Sequence, residues 1–182
     1  MKVYETHGNI IYDGVRDYDV NKWFNVNFLH NKYDEYNLLF FGNKLPNIEI
    51  IIIDTNKTAL GSAVPDLIDT RTGNSVRYEP PENWDEKFHK VVITSIVIYN
   101  VKWKSRFHLE NVLLHEMCHV YQVYVVQKQN PFEFDNESKV ANGHGASFMK
   151  AAYLINLNDN NNKNYGFFVS TNKFNDEIQT NE

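Results

Sequence analysis

The chain has 182 residues, 42% of them hydrophobic and 14% aromatic, and carries a formal net charge of −5. That length suits one domain built around one core. The acidic balance argues against a dominant nucleic-acid-binding surface, no apolar run is long enough to span a bilayer, and the single cysteine, Cys118, rules out both an internal disulfide framework and a four-cysteine zinc module.

Lys2–Glu5 and Ile10–Tyr12 are short strand-like runs separated by Gly8-Asn9, which reads as a hairpin or extended arm over residues 1–18. The first residues lack the charged-then-apolar plan of a secretory signal, so a cytoplasmic location is expected. Asp19 is expected to cap a helix running towards Phe41, with Trp23, Phe24, Phe28, Tyr33, Leu38 and Phe40 as apolar surface and with Gly42 and Pro46 as stops. The β-branched run Ile48–Ile53 reads as a largely buried strand, followed by a turn at 54–57 and a second strand at Thr58–Val64. The polar segment Pro65–Lys90, with its Pro80-Pro81 pair and its Arg71-Thr72-Gly73-Asn74 turn, reads as an excursion near a cleft or as surface decoration. Val91–Asn100 is a third strand.

Lys102, Lys104 and Arg106 then form a small basic cluster, short of the stripe a nucleic-acid footprint needs. A long, mostly buried helix is expected from Phe107 to Gln127, a loop over 128–142, and a further helix from Gly145 with Phe148, Ala151, Ala152 and Ile155 at core spacing. Asn158–Asn164 reads as a flexible linker, Tyr165–Val169 as a returning strand and Asn175–Glu182 as a disordered acidic tail. Asparagine makes up about one residue in seven, a bias that fits an AT-rich genome, viral or bacterial; a viral origin would place the protein in the host-cell cytoplasm.

The chemistry concentrates in His115-Glu116-Met117-Cys118-His119, which reads H-E-x-x-H inside an unbroken apolar stretch. Residues four apart lie on one helix face, so His115 and His119 can offer two imidazoles to a single metal ion. Glu116 sits one residue round, where a carboxylate can reach a reacting water. Two nitrogens, a base and an open position suit zinc hydrolysis. The bland alternative is a pair of satisfied core histidines, but such groups on a buried helix are costly without partners. Cys118 points round the helix from that face and reads as a buried structural thiol.

A catalytic zinc usually takes three protein ligands. The position six residues after His119 is Val125, which excludes the three-histidine metzincin pattern. Glu137 offers a carboxylate in a polar stretch. His144 offers an imidazole between Gly143 and Gly145, where the glycines permit a tight turn and a close approach to the metal helix.

Leu113-Leu114-His115-Glu116-Met117-Cys118-His119, followed at a distance by Gly143-His144-Gly145-x-x-Phe148, resembles the SprT-like (Spartan-type) zinc metallopeptidase domain. Tyr36–Pro46 resembles the helix and turn that open that domain, and Ile48–Ile53, Leu60-Gly61 and Val91–Tyr99 fall in the family's order. The resemblance runs from Asp34 to Asn156. It implies an α+β, zincin-like single domain over 19–157, with a three- or four-stranded sheet packed on helices. It also implies Zn²⁺ held by His115, His119 and His144, Glu116 as general base, and cleavage of loosely structured protein or peptide substrates held along a sheet edge. Relatives often carry a zinc ribbon after this domain, and the cysteine count excludes one here. Two other readings stand beside it: a catalytically silent structural or adaptor protein with a peptidase-like fold, and a DNA–protein crosslink protease that works with a DNA-binding partner. For the oxyanion, Tyr121, Tyr124 and Tyr153 are near enough in sequence to be considered, but each reads better as a core tyrosine with a satisfied hydroxyl.

Overall fold

The computed structural model describes residues 3–6, 9–12, 24–54, 59–75, 87–101, 103, 106–126, 144–158 and 169. Strands β1 (Val3–Thr6) and β2 (Asn9–Tyr12) pair antiparallel as a small two-stranded sheet.

Helix α1 spans Val26–Phe41. Its cap is Asn25, not Asp19: Asn25 is extended (φ −146, ψ 162) and its side chain accepts the Phe28 N–H at 2.9 Å. An N-cap needs an acceptor side chain on a non-helical backbone, and Asn25 has both; Asp19 lies outside the described residues. At the other end Gly42 turns left-handed (φ 60), a conformation that costs glycine little. Buried Asn37 then holds the chain as a neighbouring strand would. Its Nδ2 donates to Leu45 O at 2.9 Å and its Oδ1 accepts from Leu45 N at 3.0 Å. Tyr33 adds a hydroxyl bond to Pro46 O at 2.7 Å, so the exit from α1 is pinned as it enters the main sheet.

That sheet is mixed. β3 (Glu49–Asp54) lies parallel to β5 (His89–Asn100), and β4 (Gly61–Asp69) lies antiparallel to β5 on its other side. The central strand is covered on both faces, with Ser95, Ile96, Val97 and Ile98 all buried. β3 is less buried than its composition suggests: Ile50 is buried, Ile51 and Ile52 are half-buried, and Ile53 is 41% exposed. An edge strand lacks a neighbour on one side, and β-branched residues report strand preference rather than burial.

Pro65 does not end β4, contrary to the sequence expectation; the strand continues to Asp69. The pairing with β5 slips in register between Val64 and Pro65. A proline is tolerated on an outer strand beside such an irregularity, because no ladder hydrogen bond is needed from its nitrogen. A turn follows, with Thr72 N and Gly73 N both donating to Asp69 O and Gly73 at φ 72. The rest of the expected excursion, 76–86, lies outside the described residues.

Helix α2 (Arg106–Tyr121) continues into a π turn at Gln122–Val126, and helix α3 spans Ala146–Asn158. Leu109, Leu113, Leu114, Met117, Cys118 and Val120 have no exposed surface, so α2 is enclosed on nearly every side. Around it lie α1, the sheet and α3, whose Phe148, Ala151, Ala152 and Ile155 are buried as their spacing predicts. Val169, within the expected returning strand, is not in a strand; the Asn156 side chain takes the strand partner's place, with Oδ1 accepting from Val169 N at 2.9 Å and Nδ2 donating to Val169 O at 3.3 Å. The result is an α+β fold with a small three-stranded mixed sheet packed on helices. Among the described residues no helix is long and apolar enough to cross a membrane.

Candidate metal centre

One turn of α2 separates His115 from His119, and their ring centroids lie 5.3 Å apart. His144 reaches in from the residues just before α3. Its Nε2 is 3.0 Å from His115 Nε2, and its ring centroid is 5.0 Å from that of His119. One ligand atom from each of the three lies within 4.8 Å of the others. Phe148 forms the floor beneath them, fully buried, with ring centroids 4.9, 4.6 and 4.5 Å from His115, His119 and His144. Phe148 follows His144 by four positions and lies in the first turn of α3, so the chain that delivers the third imidazole also delivers its support.

These three histidines could hold a metal ion. Tetrahedral zinc with Zn–N bonds of about 2.0–2.1 Å sets its ligand nitrogens about 3.3 Å apart. His115 and His144 at 3.0 Å therefore need to separate by only a few tenths of an ångström. A ligating imidazole must be neutral. Burial pushes His119 down to about 4, with the Gln122 hydrogen bond pulling the other way and His144 adding to the fall. Burial also pushes the Cys118 thiol well above its ordinary range, and the Glu116 charge pushes the same way; Cys118 is not among the residues whose ligand atoms converge.

Glu116 is buried, and its Oε2 accepts the Ala63 N–H of β4 at 2.7 Å. The strand can come this close because residue 61 is glycine: a Cβ there would lie 2.9 Å from both Glu116 Oε1 and Val112 Cγ1. Gly61 falls in the order expected from the sequence, but this contact is not legible there, since a backbone N–H leaves no mark on residue identity.

Gln122 was also missed. It opens the π turn, sets its Oε1 2.9 Å from His119 Nδ1, and donates from Nε2 to Ser147 Oγ on α3 at 3.0 Å. Its spacing of three from His119 was the available signal.

Glu137, Lys102 and Lys104 lie outside the described residues. Arg106 bonds Glu110 at 2.6 Å and lies over the Phe28 ring. Tyr124 gives its hydroxyl to Ile93 O at 3.1 Å, Tyr121 packs on Phe41 with centroids 5.7 Å apart, and Tyr153 is 63% exposed. None of these contacts directs a phenol at the histidines.

Fold and cluster together define a small α+β domain in which three histidines are placed to hold a metal ion. The sequence profile of the SprT-like family matches residues 29–165, and the chain belongs to that family of metallopeptidase-like domains. No curated protein and no solved structure matches the chain.

Proposed function

We propose that the protein is a zinc-dependent metallopeptidase, with a zincin-like fold, that hydrolyses peptide bonds in loosely structured protein substrates. The observation that carries this reading is the convergence of three imidazoles, two on α2 and one from the residues just before α3, with a buried carboxylate next in sequence to His115 held by the sheet. Among the described residues the cluster has three members, which suits an open catalytic site; a closed structural zinc takes a fourth protein ligand.

His115, His119 and His144 would hold the ion. When bound, zinc supplies a Lewis acid for the scissile carbonyl and brings the pKa of water towards about 7. Glu116 takes the proton of the attacking water and delivers it to the leaving amine. The Ala63 N–H fixes one oxygen of that carboxylate and so fixes the direction from which the proton is taken. Phe148 closes the side of the imidazoles that faces the core. The outer edge of β4 runs beside Glu116 and offers backbone groups that pair with an extended chain. Recognition through backbone selects for unfolded substrate and asks little of its sequence.

Elemental analysis of the purified protein and of His144→Ala tests the centre. One zinc per chain is expected in the wild type and a large loss in the variant. Undiminished zinc in His144→Ala would remove His144 from the site and bring Glu137 forward.

A further inference from the structure

We infer that Gln122 is a positioning residue: its side chain fixes the tautomer of His119 and ties the metal helix to α3, and zinc affinity depends on that tie. The inference rests on the metallopeptidase reading only in taking the three histidines as zinc ligands.

A neutral imidazole carries one proton, on Nδ1 or on Nε2. Gln122 Oε1 lies 2.9 Å from His119 Nδ1. An amide oxygen only accepts, so Nδ1 carries the proton and Nε2 is left with its lone pair free for a metal. Ligating histidines generally donate their second ring N–H in this way, and loss of the acceptor typically weakens metal binding 10- to 100-fold. The usual acceptor is a carboxylate, a backbone carbonyl or water; here it is a side-chain amide.

The amide has a second use. Its Nε2 donates to Ser147 Oγ at 3.0 Å. Gln122 stands three residues after His119 and Ser147 three residues after His144, so the bridge joins the helix that carries two of the histidines to the helix that follows the third. Both residues are buried, at 4% and 5% exposure, and water cannot replace either bond cheaply. The helix widens into its π turn at this residue, a distortion often found at functional sites.

The test measures zinc affinity by competition with a chromophoric chelator in the wild type, Gln122→Met and Gln122→Glu. Met keeps the volume and removes acceptor and donor; Glu keeps an acceptor for His119 and can accept from the Ser147 hydroxyl. Gln122→Met is expected to bind zinc 10- to 100-fold more weakly, and Gln122→Glu at least as tightly as the wild type. Equal affinity in the wild type and Gln122→Met overturns the inference and leaves the metal reading intact. Equal weakening in Met and Glu makes Gln122 a packing residue and also overturns it. A wild type that binds no zinc overturns the metal reading itself. If Gln122→Met does not fold, ¹⁵N NMR of the metal-free wild type decides: Nδ1–H on His119 supports the inference and Nε2–H refutes it.

Discussion

Gly61→Ala adds one methyl group where strand β4 presses on helix α2. The new Cβ would lie 2.9 Å from Glu116 Oε1, 2.9 Å from Val112 Cγ1 and 3.1 Å from Glu116 Cγ, whereas ordinary contact begins at 3.4 Å. Both neighbours are 5% exposed, so neither can swing aside into solvent. The strand has to lift by roughly 0.5 Å, which carries Ala63 N from 2.7 Å to about 3.2 Å from Glu116 Oε2, the long end of N–H···O bonding. Overpacking of this kind costs about 1–3 kcal/mol. For a chain of this size that lowers Tm by about 2–12 °C. Turnover is expected to fall by about 10-fold or more, since a misplacement of about 1 Å in a catalytic constellation can cost about 100-fold. Zinc content is expected to stay level, because the clash involves Glu116 and Val112 and none of the histidines. Thermal melting, zinc analysis and cleavage of an unfolded protein are measured on the same preparation. Unchanged melting with unchanged turnover would refute the close approach of β4 to α2.

Three further outcomes are expected. The Cys118 thiol, fully buried and pushed up by burial, stays protonated, so a disulfide reagent labels it in the denatured chain and not in the native one; rapid native labelling contradicts its placement. Asn25→Ala removes the side-chain acceptor at the start of α1 and destabilises the protein by about 0.5–2 kcal/mol in urea unfolding; an unchanged midpoint would return the cap to an upstream residue. The chain alone binds duplex DNA with micromolar or weaker affinity at physiological salt, read by fluorescence anisotropy, because its net charge is −5 and Arg106 is already paired with Glu110. Lys102→Ala with Lys104→Ala abolishes what binding there is. Tight binding that survives both substitutions would revive the crosslink-repair reading.

The sequence displayed most plainly what is local. His115 and His119 are four apart on an unbroken helix, and Gly143 and Gly145 flag the tight approach of His144; those are the three residues the structure brings within reach of one ion. The burial of α3 followed from the spacing of Phe148, Ala151, Ala152 and Ile155. What was hidden depends on pairing between distant segments. The bond from Ala63 to Glu116 spans 53 positions and uses a backbone group, so any residue but proline could make it. The link from Gln122 to Ser147 joins two ordinary polar residues 25 positions apart. Pro65 reads as a strand end because proline breaks central strands, and only the sheet order shows β4 to be outermost among the described strands. The same order explains why an all-aliphatic run such as Ile50–Ile53 leaves Ile53 exposed.

The central claim is tested most directly by cleavage of an unfolded protein, such as reduced casein, by zinc-loaded wild type and zinc-loaded Glu116→Gln side by side. Gln keeps the size and an acceptor oxygen for the Ala63 N–H, but it cannot take a proton from water at neutral pH. The wild type is expected to cleave, and the variant to keep its fold and its zinc while losing about 100-fold or more of the rate, the scale of a general base. Equal rates would show that Glu116 is not the base, and no cleavage by the zinc-loaded wild type would contradict the metallopeptidase assignment.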